Sequence, residues 1–199
     1  MKTIFLHGLG QTPSDWDAIT CKISASDVDC PDLFALVQGV PSYPALLDAL
    51  EDRYAAEPES LQLCGLSLGG MLALDYAIRN PDKVGSLLLI GTPYKTPRLL
   101  MGVQNVLFRW MPDSAFSEMG ISKCELLQLT RSMRTLDFTQ KLNSIHCPVQ
   151  IVCGEKDHAN KRAAFQLHQL LPQSELHFIP GAGHEVNKSA PDALWKLLH

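Results

Sequence analysis

Ser67 stands in Gly65-Leu66-Ser67-Leu68-Gly69-Gly70, a hydroxyl with a glycine two residues away on either side. Gly-x-Ser-x-Gly has a mechanical reason where a strand turns sharply into a helix. The serine backbone is strained there, and side chains at the glycine positions would collide with the neighbouring strand and helix. A serine hydroxyl is a weak nucleophile at its ordinary pKa, so chemistry at Ser67 needs a base and a group that orients the base. Suitable groups lie downstream: Gly154-Glu155-Lys156-Asp157 offers carboxylates and Gly181-Ala182-Gly183-His184 offers an imidazole. Acyl chemistry also needs donors for a developing oxyanion, and the Leu68 amide, unpaired at a helix N-terminus, is one candidate. The alternative is a Gly/Ser-rich connection without chemistry.

The elements around these residues must bring them together. Leu61-Gln62-Leu63-Cys64 is short and largely apolar, as a buried strand would be. Behind the serine, Met71, Leu72, Leu74, Ala77 and Ile78 recur at helical spacing up to Asn80-Pro81. Val149–Cys153 reads as a strand running into the carboxylate loop, and Leu176–Ile179 as one running into the histidine loop. Acid, base and serine thus all follow the C-terminal ends of expected strands, where open α/β sheets gather ligands and catalytic groups. Thr3–Leu6 reads as a central strand delivering His7-Gly8-Leu9-Gly10, Val28–Pro31 as a short strand, and Val84–Ile90 as one covered on both faces. Six strands are expected, at about residues 2, 28, 61, 84, 148 and 175. Helices are expected from Thr12-Pro13, with Trp16 and Ile19 inward, and over Tyr43–Ala56, Asn160–Leu171 and Ser189–Leu198.

With 199 residues and 46% hydrophobic content the chain can bury one substantial core. The 17 Lys and Arg form no run and the net charge is −4, so no electrostatic footprint for nucleic acid or an anionic membrane is present. The apolar run near the start is too short for a signal-peptide core, and no later run approaches a membrane span. A cytoplasmic location, without stable membrane insertion, is expected. Six cysteines show no Cys-x-x-Cys pair, and the histidines form no His-x-His or His-Glu-x-x-His arrangement. Neither a disulfide framework nor a metal site is expected.

Four motifs in this order, His7-Gly8-Leu9-Gly10, Gly65-Leu66-Ser67-Leu68-Gly69-Gly70, Gly154-Glu155-Lys156-Asp157 and Gly181-Ala182-Gly183-His184, resemble the α/β-hydrolase superfamily. The resemblance spans the chain from residue 2 to the last helix. It implies a three-layer α/β/α sandwich with a mostly parallel sheet of about six strands, trimmed by the two strands that usually precede the oxyanion strand. It implies Ser67 as nucleophile and His184 as base. Glycine three residues before the acid favours Asp157 over Glu155, and no carboxylate follows the Val84–Ile90 strand until Asp113. By the same resemblance the backbone amide of Leu9 is the second oxyanion donor, paired with that of Leu68, and His7 is a structural histidine of the loop. No cofactor is implied.

Residues 94 to about 138 break the strand-helix alternation and read as a helical cap inserted into a single domain spanning 1–199. Leu99, Val103, Val106, Leu107 and Trp110 share one helical face, and Ser122-Lys123-Cys124-Glu125 has capping-box spacing before a second helix. Trp110, Met101, Met111 and Met119 are the candidate substrate-pocket residues, since methionine offers an adaptable apolar surface; Met133 lies in the same segment. Arg98, Arg109, Arg131 and Arg134 are alternatives for binding a substrate carboxylate, or are simply solvated. The expected function is hydrolysis of a small or medium carboxylic ester or thioester, with a small molecule as partner. Two other readings stay open. One is carbon–carbon cleavage or a lyase reaction on an anionic substrate by the same triad. The other is ligand binding or signalling without turnover. Oligomeric state is left open.

Overall fold

The computed structural model describes residues 1–96 and 121–198. Six parallel strands form one sheet in the order β2-β1-β3-β4-β5-β6. They are β1 (Lys2–Leu6), β2 (Val28–Asp29), β3 (Leu61–Leu66), β4 (Val84–Ile90), β5 (Val149–Gly154) and β6 (Ser174–Ile179). The inner strands are near-continuous apolar runs, as strands covered on both faces must be. Side chains of a strand alternate between faces, so each strand feeds two cores. Ile4, Leu63, Leu87, Leu89 and Ile151 pack on one face with α2 (Tyr43–Tyr54), α3 (Leu68–Arg79) and α5 (Lys161–Leu170). Phe5, Cys64, Leu88, Ile90 and Val152 pack on the other with Trp16, Ile19, Val186 and Leu194. Those last four come from a 3-10 turn at Pro13–Trp16, α1 (Asp17–Thr20), α6 (Val186–Ser189) and α7 (Pro191–Leu197). The result is the expected three-layer α/β/α arrangement, all parallel.

Residues that precede or follow strands in register end up side by side. Leu6 pairs with Gly65, Leu66 with Ile90, Ile90 with Val152, and Gly154 with Ile179. The C-terminal ends of β1, β3, β4, β5 and β6 therefore form one edge. Two helices differ from the sequence expectation. The first is mostly a 3-10 turn, with Pro13 at its start and the Thr12 amide donating to the Asp15 carboxylate at 2.7 Å. The last starts at Pro191 rather than Ser189, with a separate turn, α6, ahead of it: Ala190 at φ −148° divides the two, because a residue before proline is pushed out of helical geometry and Pro191 carries no N–H to continue the ladder.

The segment after β4 leaves and returns at one place. Thr96 N donates to Leu136 O at 2.9 Å and Phe138 N to Tyr94 O at 3.0 Å, around an antiparallel bridge between Lys95 and Asp137. Within it, α4 (Lys123–Ser132) starts with the expected capping box of Ser122 and Glu125. Its buried residues Leu126 and Leu129, with Met133, join the main core, and Ser132 Oγ accepts the Tyr43 amide at 2.9 Å. Met133 thus packs α4 onto the sheet's helical layer, while Arg131 and Arg134 are exposed. Among the described residues, no helix is long and apolar enough to cross a membrane.

Candidate active site

Ser67 is the turn between β3 and α3, and among the described residues it is the one non-glycine with positive φ (53°, with ψ −108°). Such a conformation costs on the order of 1–3 kcal/mol and persists only where the surroundings over-determine it. Here Ser67 N donates to Ile90 O and Met71 N to Ser67 O, both at 2.9 Å. The glycines make the approach possible. A Cβ on Gly65 would lie 2.4 Å from the Gly69 carbonyl, and one on Gly69 would lie 2.1 Å from Leu6 O. The first turn of α3 therefore sits directly on the end of β1, which puts the Leu9 loop beside the serine turn.

Leu68 is the first residue of α3, and its amide has no hydrogen-bond acceptor among the described residues. The same holds for the amides of Leu9 and Gly10 across the β1 end. His7 is fully buried between the Gly8 turn and the Leu33–Phe34 segment that follows β2. Its Nδ1 donates to Gly8 O at 3.0 Å and its Nε2 accepts the Leu33 amide at 3.0 Å, an assignment that requires the neutral ring. Burial pushes His7 below the ordinary histidine range, in keeping with a neutral ring whose two nitrogens hold the loop.

The β5 and β6 ends bring the acid to the base. His184 Nδ1 lies 2.7 Å from Asp157 Oδ2, and Asp157 is only 6% exposed. An ionised carboxylate accepts and cannot donate, so in the neutral ring the shared proton sits on Nδ1 and Nε2 carries the lone pair. Burial alone would raise the Asp157 carboxyl; the hydrogen bonds from His184 and Asn160 outweigh it and hold the group below the ordinary aspartate range. Asn160 Nδ2 is 3.0 Å from Asp157 Oδ1, 2.9 Å from Oδ2 and 3.2 Å from His184 Nδ1. Glu155 is engaged elsewhere: its exposed carboxylate accepts the Gly181 amide at 2.8 Å. With Glu155 N donating to Ile179 O and Lys156 N to Ala182 O, this stitches the acid loop to the histidine loop.

Asp157 and His184 are therefore in contact, and Ser67 shares their sheet edge. Among the described residues no hydrogen bond joins Ser67 Oγ to His184, a bond that is often long before substrate arrives. Ile90-Gly91 spans the gap. Ile90 O accepts the Ser67 amide, while a Cβ on Gly91 would meet the His184 ring at 2.9 Å. Trp110, Met101, Met111 and Met119, with Arg98 and Arg109, lie outside the described residues. Sequence reasoning missed two residues placed against the acid–histidine pair: Gly91 and Asn160. Gly91 had a signal, a glycine directly after a buried strand; Asn160 read only as the start of a helix.

A parallel sheet with a strained serine turn leading into α3, and an acid-held histidine at the same edge, is the layout of the α/β folds that carry a Gly-x-Ser-x-Gly turn. The sequence model of the alpha/beta hydrolase family matches residues 3–197, and the chain belongs to that family. Over 91 residues, 45% of this chain, it is 42% identical to a pimeloyl-[acyl-carrier protein] methyl ester esterase of Aromatoleum aromaticum. That match covers 36% of the esterase, and the chain spans about a third of the length of the curated relatives it matches. Its fold is shared with MenH of S. aureus (TM-score 0.82, 18% identity, covering 100% of this chain and 91% of MenH). A thermophilic esterase of Thermogutta terrifontis is similar too (TM-score 0.77, 19% identity, covering 100% of this chain and 88% of that one).

Proposed function

We propose that this chain is a serine hydrolase cleaving a small or medium carboxylic ester or thioester through an acyl-enzyme on Ser67. The observation that carries the reading is the 2.7 Å Asp157–His184 bond at the sheet edge where Ser67 adopts its strained turn. In this mechanism Ser67 Oγ attacks the substrate carbonyl carbon and its proton passes to His184 Nε2. The C=O pair moves to oxygen, where the amides of Leu9 and Leu68 receive the charge. As the tetrahedral adduct collapses, the alcohol or thiol leaves with the proton from His184. Water then attacks the acyl-enzyme and gives a proton to His184; as this second adduct collapses, His184 returns the proton to Ser67 Oγ and the acid is released. Asp157 stays ionised throughout and holds the ring in the tautomer with Nδ1 protonated. The esterase name of the Aromatoleum relative supports an ester substrate.

The reading takes residues 1–199 as one domain with 94–138 as its cap, supported by the paired base of that segment at Lys95 and Asp137. Trp110, Met101, Met111 and Met119 then line the acyl pocket. A cytoplasmic location is supported by six free cysteines. The test is a chain-length series of p-nitrophenyl esters. Wild type turns over at least one member, Ser67→Ala loses roughly 10⁵–10⁶ in kcat, and Asp157→Asn loses less, about 10⁴. A fluorophosphonate labels Ser67 and no other residue. Equal turnover by wild type and Ser67→Ala, or labelling that persists in Ser67→Ala, refutes the reading.

A further inference from the structure

Gln11 and Asn187 are 176 residues apart in the chain, yet both are buried against each other, 2% and 0% exposed. Their amides bond head to tail: Gln11 Nε2 donates to Asn187 Oδ1 at 3.2 Å, and Asn187 Nδ2 to Gln11 Oε1 at 3.3 Å. The remaining capacity of each amide goes to the loops on either side. Gln11 Oε1 accepts the Gly8 amide at 3.2 Å, and Gln11 Nε2 donates to Glu185 Oε1 at 3.0 Å. Asn187 Nδ2 donates to the Asp15 carbonyl at 3.1 Å. These partners set both orientations. Turning Gln11 over would set its NH₂ against the Gly8 N–H and its oxygen against Glu185; turning Asn187 over would set its oxygen against a carbonyl.

At one end this pair shapes the loop after β1. Gln11 N donates to Gly8 O at 3.2 Å, and Gly10, the third residue of that turn, takes the positive φ (81°) that a type II turn requires there. The Gly8 N–H is consumed by the Gln11 side chain, whereas the Leu9 N–H is left without an acceptor. At the other end, Glu185 and Asn187 lie one and three residues after His184, and Val186 N returns to His184 O at 3.0 Å. An apolar pair could fill the same volume but would impose no direction on either loop and would orphan the Gly8 N–H. A fully satisfied buried polar network does impose one.

We infer that the buried Gln11–Asn187 amide pair is a positioning device: it presents the Leu9 amide to the oxyanion and ties that loop to the segment carrying His184. The inference rests on the serine-hydrolase reading. It makes Gln11 matter for the charged adduct and little for ground-state binding, because the Leu9 amide is needed only once the oxygen carries charge.

The test compares wild type with Gln11→Met, which keeps length and approximate volume but removes every hydrogen bond of the side chain. The probes are a p-nitrophenyl ester, a trifluoromethyl ketone that Ser67 adds to as an oxyanion, and the matching methyl ketone. Loss of one oxyanion donor is worth about 10²–10³ in rate, and a donor displaced by part of an ångström should lose roughly 10–10². Gln11→Met is expected to lose that factor in kcat with KM within about threefold. The trifluoromethyl ketone Ki should weaken by the same factor while the methyl ketone Ki stays within about threefold. A folded Gln11→Met with wild-type kcat and wild-type trifluoromethyl ketone Ki overturns the inference. Should Gln11→Met not fold, Gln11→Glu replaces it. That variant keeps an acceptor for Gly8 N but sets a carboxylate against Glu185 and Asn187 Oδ1, and less than a tenfold loss in either quantity overturns the inference. Failure of wild type to bind the trifluoromethyl ketone at Ser67 would instead overturn the serine-hydrolase reading, and the positioning role with it.

Discussion

Gly91→Ala places one methyl group between the two halves of the site. An ideal Cβ at this position lies 2.9 Å from both His184 Cε1 and Nδ1, and 3.2 Å from Asp157 Oδ2. Carbon atoms rest at about 3.5–4.0 Å, so the contact with the ring is short by roughly 0.6–1.1 Å. Backbone movement is costly on the glycine's side, because Gly91 N is bonded to Val152 O at 2.8 Å and Ile90 O holds the Ser67 amide. The imidazole is the easier part to move, since its side chain is 39% exposed. A displacement of that size breaks the alignment of the 2.7 Å bond to Asp157, and misplacing a catalytic group by about 1 Å costs around 10²-fold in rate. Stability falls as well: φ is +53° at Gly91, which for alanine costs roughly 1–2 kcal/mol, and overpacking adds about 1–3 kcal/mol. For a protein of this size the sum lowers Tm by about 4–20 °C. The control is Gly39→Ala, where φ is +90° and a Cβ would meet nothing within 4 Å; it carries backbone strain without the clash. Ester hydrolysis is measured at a temperature where circular dichroism reports both variants folded. The expected result is a kcat loss near 10² for Gly91→Ala and within about threefold of wild type for Gly39→Ala. A folded Gly91→Ala with kcat within threefold of wild type would refute the argument that the Asp157–His184 placement limits the reaction.

Two further outcomes follow from the geometry. Leu68→Ala keeps the amide and should hold kcat within a few-fold, although Leu68 is 2% exposed and its truncation should cost about 2–5 kcal/mol of stability. Leu68→Pro removes the donor at the first helical position, where proline is accepted, and should lose about 10²–10³ in kcat. It also restricts Ser67, so fluorophosphonate access must be retained before the loss is assigned; equal damage from both variants would contradict a backbone donor. His7 sets an acid limit on stability. Its folded pKa lies below the unfolded value of about 6.5, so the unfolded chain binds the proton first. The stability His7 contributes is full above that value and drains away as pH falls through the folded pKa. Urea midpoints should drop from pH 7.5 to 5 in wild type, with a shallower slope in His7→Asn; parallel slopes would rule out His7 as the source. Asp157 is also held low, but its contribution is lost only at more acid pH, below the ordinary value of 3.8, so the two windows separate.

Much of the site was legible in the chain because it is written in local signals. Apolar runs of strand length mark β1, β3, β4 and β5 within a residue or two, since a strand covered on both faces buries most of its side chains and its polar ones are few, such as Gln62, Ser86 and Gln150. The Gly65 and Gly69 spacing marks the serine turn, because only glycine tolerates a neighbouring carbonyl about 2 Å from where its Cβ would be. The acid and histidine loops were legible as segments just past strand ends, whereas the choice of Asp157 over Glu155 came from the resemblance to the α/β hydrolases. The sheet order belongs to another level: β1 lies between β2 and β3 although 54 residues separate Leu6 from Leu61, and no periodicity encodes which strand pairs with which. From that order come the contacts only the tertiary structure decided. Gly91 lies against Asp157 and His184 because β4, β5 and β6 are consecutive neighbours in the sheet, so the loops after β5 and β6 gather at the β4 end. The Asn160 side chain leaves the first amides of α5 uncapped; its Nδ2 donates to the nearby Asp157 carboxylate and lies 3.2 Å from His184 Nδ1, a neighbour that only the folding of the β5 and β6 loops supplies. Gln11 finds Asn187 across 176 residues, because two buried amides closed off from water must satisfy each other, and which two they are is known only once the chain has folded.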